Sequence, residues 1–261
     1  MAFPSQYSAG WFARRSAATQ RSAEVILPLV LSAVPTRSVV DVGCGLGSWL
    51  AVARECGVVR ILGVDGPYVD ERQLQIPAGS FVTADLRMPL ELSESFDLAL
   101  SLEVGEHLPA ESCRTYVSSL VRLAPVVVFS AAVPCQGGTG HVNEQWPSYW
   151  ARLFRDSGYV AVDYVRPRIW DDERVRYFYA QNIIVYVEEQ RLDEFPELAT
   201  AAQREAEPRS LVHPRLYANA LERFPSAKTV RMAELLRFLA KFASARARRI
   251  VGRASPPYNR A

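Results

Sequence analysis

The residues with the clearest chemical potential are Glu103, Glu106 and His107, which are spaced i, i+3, i+4. They follow an apolar run at residues 96–101. If a helical turn begins at Glu103, all three side chains point to one side of it. Two carboxylates and an imidazole that converge in a cleft repel each other or bind a cation. Hard oxygen and imidazole ligands favour Mg²⁺, Mn²⁺ or Fe²⁺ over a zinc site with soft ligands.

A second histidine, His141, follows the next apolar run, residues 126–130. Neighbouring strands lie about 5 Å apart, so the loops that follow the two runs could bring His141 toward the first three residues. Two alternatives stay open at this point. The site could lack a metal and use His107 or His141 as a general base, or these residues could be purely structural.

A glycine-rich turn follows the first apolar run, residues 38–42. Its glycines, in the spacing G-x-G-x-G, are Gly43, Gly45 and Gly47. Glycines permit a tight turn and let a ligand approach the backbone closely. The predicted helix after the turn, from Leu46, has N-terminal amides that can bind a negatively charged group. However, a dinucleotide site has the spacing G-x-G-x-x-G, and Ser48 and Asp41 are foreign to it, which argues against a pyrophosphate site.

The elements that must position these residues are seven short apolar runs. They lie at residues 38–42, 60–65, 80–85, 96–101, 126–130, 159–165 and 182–187. Continuous apolar runs indicate strands buried on both faces, and the segments between them, such as 46–56 and 112–123, have helical composition. We therefore predict an α/β fold: an open, seven-stranded, mostly parallel sheet with helices on both faces. Ligands bind at the carboxyl ends of such strands.

Composition and charge exclude several classes of protein. The chain has 261 residues, of which 49% are apolar and 22% charged, which excludes wholesale disorder. Its net charge of +2 excludes a protein-wide polyelectrolyte surface. The longest apolar stretch, residues 25–34, is shorter than the roughly 20 residues of a membrane span, and we interpret it as a helix packed on the domain. The four cysteines form no C-x-x-C pair, which disfavours zinc fingers and redox pairs. The lack of a secretory signal and of a disulfide framework favours a reducing, cytoplasmic location.

The expected organisation has three parts. Residues 1–34 form an N-terminal helical lid, 35–190 the cofactor-binding domain, and 191–261 a helical, basic C-terminal extension. Within the extension, residues 228–260 carry nine basic side chains against one acidic, a net charge of +8. This segment could be a solvated helix end, or it could contact an anionic membrane surface or nucleic acid.

Three ordered motifs, D-V-G-C-G-L-G at 41–47, G-V-D at 63–65 and A-D-L at 84–86, resemble those of class I S-adenosylmethionine-dependent methyltransferases. The resemblance covers residues 35 to about 190. It implies that the three glycines lie beside the methionine part of the cofactor, that Asp65 accepts hydrogen bonds from the ribose hydroxyls, and that Asp85 with Leu86 holds the adenine. We include Asp41 in this cofactor site. Carboxylates at strand ends suit amines, neutral diols and a cationic sulfonium better than a phosphate.

The E-x-x-E-H pattern with a later histidine resembles the metal site of small-RNA 2′-O-methyltransferases, and a related pattern occurs in ubiquinone-pathway O-methyltransferases. The resemblance implies that one Mg²⁺ or Mn²⁺ is bound by Glu103, Glu106, His107 and His141. Gly105 departs from it, since relatives usually carry a larger residue there. The glycine could weaken the turn or open room for an acceptor.

These residues suggest a reaction. A divalent cation lowers the pKa of an alcohol, and a histidine outside the ligand set could remove its proton. We take Glu106, His107 and His141 as the candidate catalytic residues. Two open coordination positions would suit a vicinal diol, and hence a sugar. Aromatic side chains that could stack on a sugar crowd the second half of the chain: Trp146, Tyr149, Trp150, Tyr164, Trp170, Tyr177, Phe178 and Tyr179.

We therefore predict a cytoplasmic O-methyltransferase that uses S-adenosylmethionine and Mg²⁺ on a sugar or oligosaccharide hydroxyl. Resemblance alone favours bacterial polysaccharide assembly, such as that of methylmannose polysaccharides. Alternatives are a ribose 2′-O-methyltransferase acting on RNA, and a metal-independent, catechol-type enzyme for small molecules. A non-catalytic partner subunit that binds the cofactor is a further alternative, and the intact Glu103, Glu106, His107 and His141 argue against it. A homodimer is left open.

Overall fold

The computed structural model describes residues 9–204 and 207–223, and within them one sheet of seven strands. The strands are β1 (Ser38–Val42), β2 (Arg60–Asp65), β3 (Phe81–Thr83), β4 (Leu98–Leu102), β5 (Val126–Ser130), β6 (Tyr159–Val162) and β7 (Ile184–Glu188). Their order is β3-β2-β1-β4-β5-β7-β6. Strands β1 to β5 are parallel, and β7 runs antiparallel to both β5 and β6. The prediction of an open, mostly parallel, seven-stranded sheet is confirmed.

Eight α-helices connect or flank the strands within the described ranges. They are α1 (Ala9–Ala33), α2 (Ser48–Glu55), α3 (Cys113–Leu123), α4 (Pro147–Arg155), α5 (Arg166–Ile169), α6 (Tyr177–Asn182), α7 (Pro196–Ala202) and α8 (Pro214–Arg223). Strands β3, β4, β6 and β7 are shorter than the apolar runs that predicted them, and local structure explains the later start of β3 and of β7. Ser80 belongs to a 3-10 turn, Ala78–Ser80, that precedes β3, and Asn182 is the last residue of α6 before β7.

Alternation along each strand divides the core into two layers. Val39 packs with one group of buried residues and Val40 with the other, because successive side chains of a strand point to opposite faces. The first layer includes Ile26 of α1 and Leu50 of α2, and the second includes Leu120 of α3. Both faces of the sheet are therefore covered by helices, as the continuous apolar runs predicted.

Helix α1 contains all but the last residue of the apolar stretch at residues 25–34. Its buried side chains include Ala23, Ile26, Leu27 and Val30. The spacing i, i+3, i+4, i+7 places them on one face of the helix, and α1 packs against α2. None of the helices in the described part of the chain is long and apolar enough to cross a membrane.

Contacts group the chain up to Leu216 into one compact unit, which extends beyond the boundary predicted at residue 190. A second unit begins at Tyr217, and its residues 217–223 are described. The division at 34 and 190 stays a prediction. Residues 1–8 of the predicted lid and the basic segment 228–260 lie outside the described residues.

A partly buried carboxylate joins the starts of β1 and β4. The Oδ2 atom of Asp97 accepts hydrogen bonds from the backbone amides of Arg37 and Ser38 and from the Ser38 hydroxyl, each at 2.8 Å. Burial raises the pKa of Asp97, but these hydrogen bonds lower it more, so its pKa lies below the usual range. This contact fixes the alignment of the two strands whose other ends carry Asp41 and Glu103.

Substitution of Asp97 tests this contact. We expect D97A to lower the free energy of unfolding by about 1–3 kcal/mol, because three donors lose their acceptor. D97N should lose less, since its amide oxygen can accept the same bonds without the charge.

A lowered carboxyl pKa contributes stability that is complete above the unfolded-state pKa and is lost as the pH falls through the folded-state pKa. The difference between wild type and D97A should therefore be largest above about pH 5 and shrink toward pH 3. Urea unfolding across this pH range measures it, and a difference that does not change with pH would contradict the role of the charge.

Candidate active site

The turn between β1 and α2 is built from three glycines with left-handed backbone. The φ angles of Gly43, Gly45 and Gly47 are 90°, 55° and 81°. Side chains with a Cβ adopt such angles at a cost, so glycine at these positions permits the tight turn. Helix α2 begins at Ser48 with Gly47 as its N-cap, two residues later than the sequence predicted.

The amides of this turn are used inside the protein. The Gly43 amide donates to the carbonyl of Val64 at 2.7 Å, and the Gly47 amide donates to the carbonyl of Cys44 at 2.9 Å. The Gly45 amide donates to Oδ2 of Asp65 at 2.6 Å. Because these donors are already committed, the turn does not present them to a phosphate. The argument against a pyrophosphate site is strengthened.

Two buried carboxylates flank the turn. Oδ2 of Asp41 has no hydrogen-bond partner among residues 9–204 and 207–223. Burial and the nearby charge of Asp65 raise the pKa of Asp41 well above its usual value. Burial also raises the pKa of Asp65, whose Oδ1 accepts hydrogen bonds from the Gly66 amide and the Tyr68 hydroxyl. Two buried acids with an unsatisfied oxygen suit a cationic ligand, such as an amino or sulfonium group.

Asp85 and Leu86 follow β3, where the sequence places the adenine site. Leu86 is buried, whereas Asp85 is half-exposed and forms a two-point salt bridge with Arg87 at 2.6 and 2.8 Å. Hydrogen bonds from the Arg87 side chain lower the pKa of Asp85. The carboxylate therefore has a partner within the chain, and its contact with an adenine amine stays a prediction.

The backbone after β4 separates Glu103 from the other candidate ligands. Glu103 has a φ of 57°, and a 3-10 turn then spans Gly105–His107. The helical turn therefore begins at Gly105, two residues after the position that the spacing predicted. Glu106 and His107 lie on this turn, and Glu103 precedes it with a different orientation.

Glu106, His107 and His141 come together, with one ligand atom from each within 4.8 Å of the others. The Nε2 atom of His141 lies 3.9 Å from Oε1 of Glu106, and the two imidazole rings meet edge to face at 4.9 Å. The backbone carbonyl of Glu106 accepts hydrogen bonds from the amides of Val142 and Asn143 at 2.9 and 3.0 Å. These bonds bring the loop after β5 to the loop after β4, as the sequence predicted.

Hydrogen bonds at Nδ1 orient both imidazoles. His107 Nδ1 lies 3.3 Å from the carbonyl oxygen of Gly140, and His141 Nδ1 lies 2.9 Å from Oε1 of Glu144. With the proton on Nδ1, the lone pair of each neutral ring is on Nε2, where it can bind a cation. Sequence reasoning missed Glu144. Its position three residues after a candidate ligand is the signal that could have identified it.

Glu106 is a fully buried carboxylate. Within the described part of the chain, neither of its oxygens meets hydrogen-bond geometry with a partner. Burial and then the charge of Glu103 raise its pKa well above the usual value, while the amides of Glu106 itself and of Ala132 oppose this rise. A buried acid beside two imidazole nitrogens fits a divalent cation, which would supply the missing charge partner.

Glu103 has different partners. Its Oε2 accepts a hydrogen bond from Nε2 of Gln136 at 2.8 Å, and its Oε1 accepts one from Nδ2 of Asn182 at 3.0 Å. Both partners are buried, and sequence reasoning missed both. The structure thus brings three of the four predicted ligands together, namely Glu106, His107 and His141. The carboxylate of the fourth, Glu103, instead accepts hydrogen bonds from two side-chain amides.

The space beside Gly105 is filled by the protein. A Cβ at this position would lie 2.6 Å from the ring of Trp150, so the glycine makes room for tryptophan. The expectation of room for an acceptor is therefore wrong.

Most of the aromatic side chains proposed for stacking are at least partly buried, whereas Trp146, at the start of α4, is 38% exposed.

The parallel sheet with a glycine turn after β1 and acidic residues at the ends of β1 and β2 defines the class I methyltransferase fold. Residues 13–156 match the family described as "Methyltransferase domain", and the chain belongs to this family. No curated protein matches the chain.

Several solved structures share the fold. One is magnesium protoporphyrin IX methyltransferase (ChlM) from Synechocystis PCC 6803 with bound SAH, with 20% identity, a TM-score of 0.50, and coverage of 71% of this chain and 90% of that one. DesVI of Streptomyces venezuelae has 17% identity, a TM-score of 0.50, and coverage of 68% and 94%. An O-methyltransferase family protein from Burkholderia thailandensis has 14% identity, a TM-score of 0.50, and coverage of 68% and 57%.

Gly138 allows a direct test of the three-residue cluster. A Cβ at this position would overlap the His141 ring at Nε2. We therefore expect G138A to displace that nitrogen and to weaken Mn²⁺ binding about 10-fold or more, as measured by calorimetric titration. G79A is the matched control, because no described atom lies within 4 Å of a Cβ there. Equal Mn²⁺ affinity of G138A and wild type would contradict the assignment of His141 Nε2.

Proposed function

We propose that this methyltransferase is an S-adenosylmethionine-dependent O-methyltransferase that acts on a sugar or oligosaccharide hydroxyl with the aid of Mg²⁺ or Mn²⁺. The observation that carries the proposal is the cluster of Glu106, His107 and His141 at the same sheet edge as the glycine turn. A cofactor site and a cation site on neighbouring loops are what methyl transfer to an activated hydroxyl requires.

The cofactor would lie against the turn after β1. Asp41 and Asp65 suit its cationic and hydroxyl groups, and Gly43, Gly45 and Gly47 allow it to approach the backbone. Asp85 and Leu86 are the proposed adenine contacts. The amides of Gly43, Gly45 and Gly47 already donate hydrogen bonds within the protein, so they do not offer donors to a pyrophosphate. This favours a sulfonium cofactor over a dinucleotide.

Glu106, His107 and His141 would hold the cation. When bound, a divalent cation stabilises the alkoxide that develops on the acceptor hydroxyl. Glu106 contributes its buried charge, and the Nδ1 hydrogen bonds of the two histidines orient their rings and leave the lone pair of each neutral ring on Nε2. With both histidines holding the cation, the hydroxyl proton would pass to solvent. In the alternative without a cation, His141 Nε2 would accept that proton, and the Glu144 carboxylate would stabilise the imidazolium that results.

The acceptor class is the finer part of the proposal. Vicinal hydroxyls suit a cation with several positions open to the acceptor, and the partly exposed Trp146 offers a ring on the loop that carries His141. RNA and catechols also carry vicinal oxygens, so they belong in the test. The cytoplasmic location, the homodimer and the three-part division of the chain stay predictions.

An acceptor panel tests the substrate class. The full chain would be incubated with labelled S-adenosylmethionine, Mg²⁺ and, separately, neutral sugars, oligosaccharides, catechols and RNA. We expect label to enter the sugar fraction as an alkali-stable methyl ether, because an ether survives alkali whereas a methyl ester does not. Transfer to RNA alone, weakening steeply with salt, would replace the sugar by a ribose 2′-hydroxyl.

Chelation separates the cation from the cofactor. We expect excess EDTA to lower methyl transfer by at least about 100-fold, because alkoxide stabilisation contributes several kcal/mol. Calorimetry should find the affinity for S-adenosylhomocysteine within about 2-fold of its value with metal, since the two sites use different residues. Added Mg²⁺ or Mn²⁺ should restore transfer to wild type but not to E106Q. Full transfer in EDTA would reject the metal half of the proposal.

A further inference from the structure

Glu103 belongs to a closed ring of hydrogen bonds. Its two carboxylate oxygens accept from Gln136 and Asn182, and Nδ2 of Asn182 also donates to Oε1 of Gln136 at 2.9 Å. Each side chain of the ring therefore contacts the other two. Such a ring holds all three members in one arrangement, because moving one breaks two contacts.

The ring continues into a buried chain of amides. Nε2 of Gln181 donates to Oδ1 of Asn182 at 2.8 Å and to Oε1 of Gln136 at 3.4 Å. Oε1 of Gln181 accepts the backbone amide of His213 at 2.8 Å. The position of Glu103 is thus fixed by α6 and, beyond it, by the segment that precedes α8.

Gln136 links the ring to the cation cluster because it lies in the loop between β5 and α4, which also carries His141. Glu144 fastens the backbone on both sides of Gln136, since it accepts the amides of Cys135 and Gly137 at 2.9 and 2.6 Å. The same Glu144 carboxylate holds His141 Nδ1. Gly138 then packs directly against the His141 ring. A displacement of Gln136 would therefore be transmitted to His141.

We propose that Glu103 is a positioning residue: through Gln136 it fixes the loop that places His141, and the cation is held by three side chains, Glu106, His107 and His141. The cation itself rests on the proposed function. Three protein ligands leave more positions of a six-coordinate ion open to the two oxygens of a diol than four ligands do.

Exchange of two side chains tests this proposal. In E103Q, an amide would meet the amides of Gln136 and Asn182, so at least one donor would face another donor. The exchanged variant E103Q/Q136E restores the matches within the ring, because the carboxylate at position 136 can accept from the new amide at 103, from Asn182 and from Gln181. A hydrogen-bonding role therefore predicts rescue by the exchange, whereas a metal-ligand role does not.

Two measurements distinguish the outcomes. For E103Q we expect a melting temperature about 3–6 °C lower in EDTA and a Mn²⁺ affinity about 10-fold weaker. E103Q/Q136E should recover the melting temperature within about 2 °C and the Mn²⁺ affinity within about 3-fold. E106Q, the control for a direct ligand, should lose more than about 100-fold in Mn²⁺ affinity.

Failure of the exchanged variant to recover Mn²⁺ affinity, with a loss in E103Q as large as in E106Q, would make Glu103 a fourth ligand and overturn the proposal. Should the wild-type chain bind no Mn²⁺, the metal half of the proposed function fails. The three-ligand site then fails as well. Recovery of the melting temperature by E103Q/Q136E in EDTA would still support the positioning role of Glu103. If the exchanged variant does not recover it, that role is overturned too.

Discussion

The carbonyl group of Glu106 joins the two loops on which the site depends. It accepts the amides of Val142 and Asn143, and it does so because β4 and β5 are parallel neighbours whose last paired residues are Leu102 and Ser130. Together with the contact of His107 with Gly140 and that of Glu103 with Gln136, this junction sets where His141 lies relative to Glu106. The strand order of the sheet therefore decides which side chains can meet, and the carbonyl fixes how closely they do.

Burial of several carboxyl groups at this edge of the sheet costs free energy, and the described residues do not provide hydrogen-bond partners for all of their oxygens. Asp41 and Asp65 are buried near the carboxyl ends of the neighbouring strands β1 and β2, and Glu106 is buried with Glu103 close enough to raise its pKa. Buried acids of this kind are destabilising unless a cation or a set of donors offsets them. Glu103 has donors in Gln136 and Asn182. The unsatisfied oxygens of Asp41 and Glu106 mark the two places where a bound cationic group would contribute most to stability.

The pattern of apolar residues along the chain is sufficient to predict the strands of the sheet. It is not sufficient to predict the contacts within the site. Seven apolar runs predicted seven strands because burial on both faces leaves a continuous signal in the sequence. The partners of Glu103 could not be predicted, because Gln136 and Asn182 lie 33 and 79 residues away along the chain. The left-handed backbone of Glu103 carries no signal either, since a glutamate rarely adopts it. Gly105 was recognised as unusual, but its reason, the ring of Trp150, lies on a helix 45 residues later.

The charge of the site bears on which acceptor it suits. Glu106 and Glu144 lie against His141, and Glu103 lies close enough to raise the pKa of Glu106, so one divalent cation would face three carboxyl groups. An acceptor that brings a phosphate beside its hydroxyl would add a further negative charge at this edge, whereas a neutral sugar adds none. For the proposed O-methyl transfer, this concentration of acidic groups supports our choice of an uncharged hydroxyl acceptor over a nucleic acid.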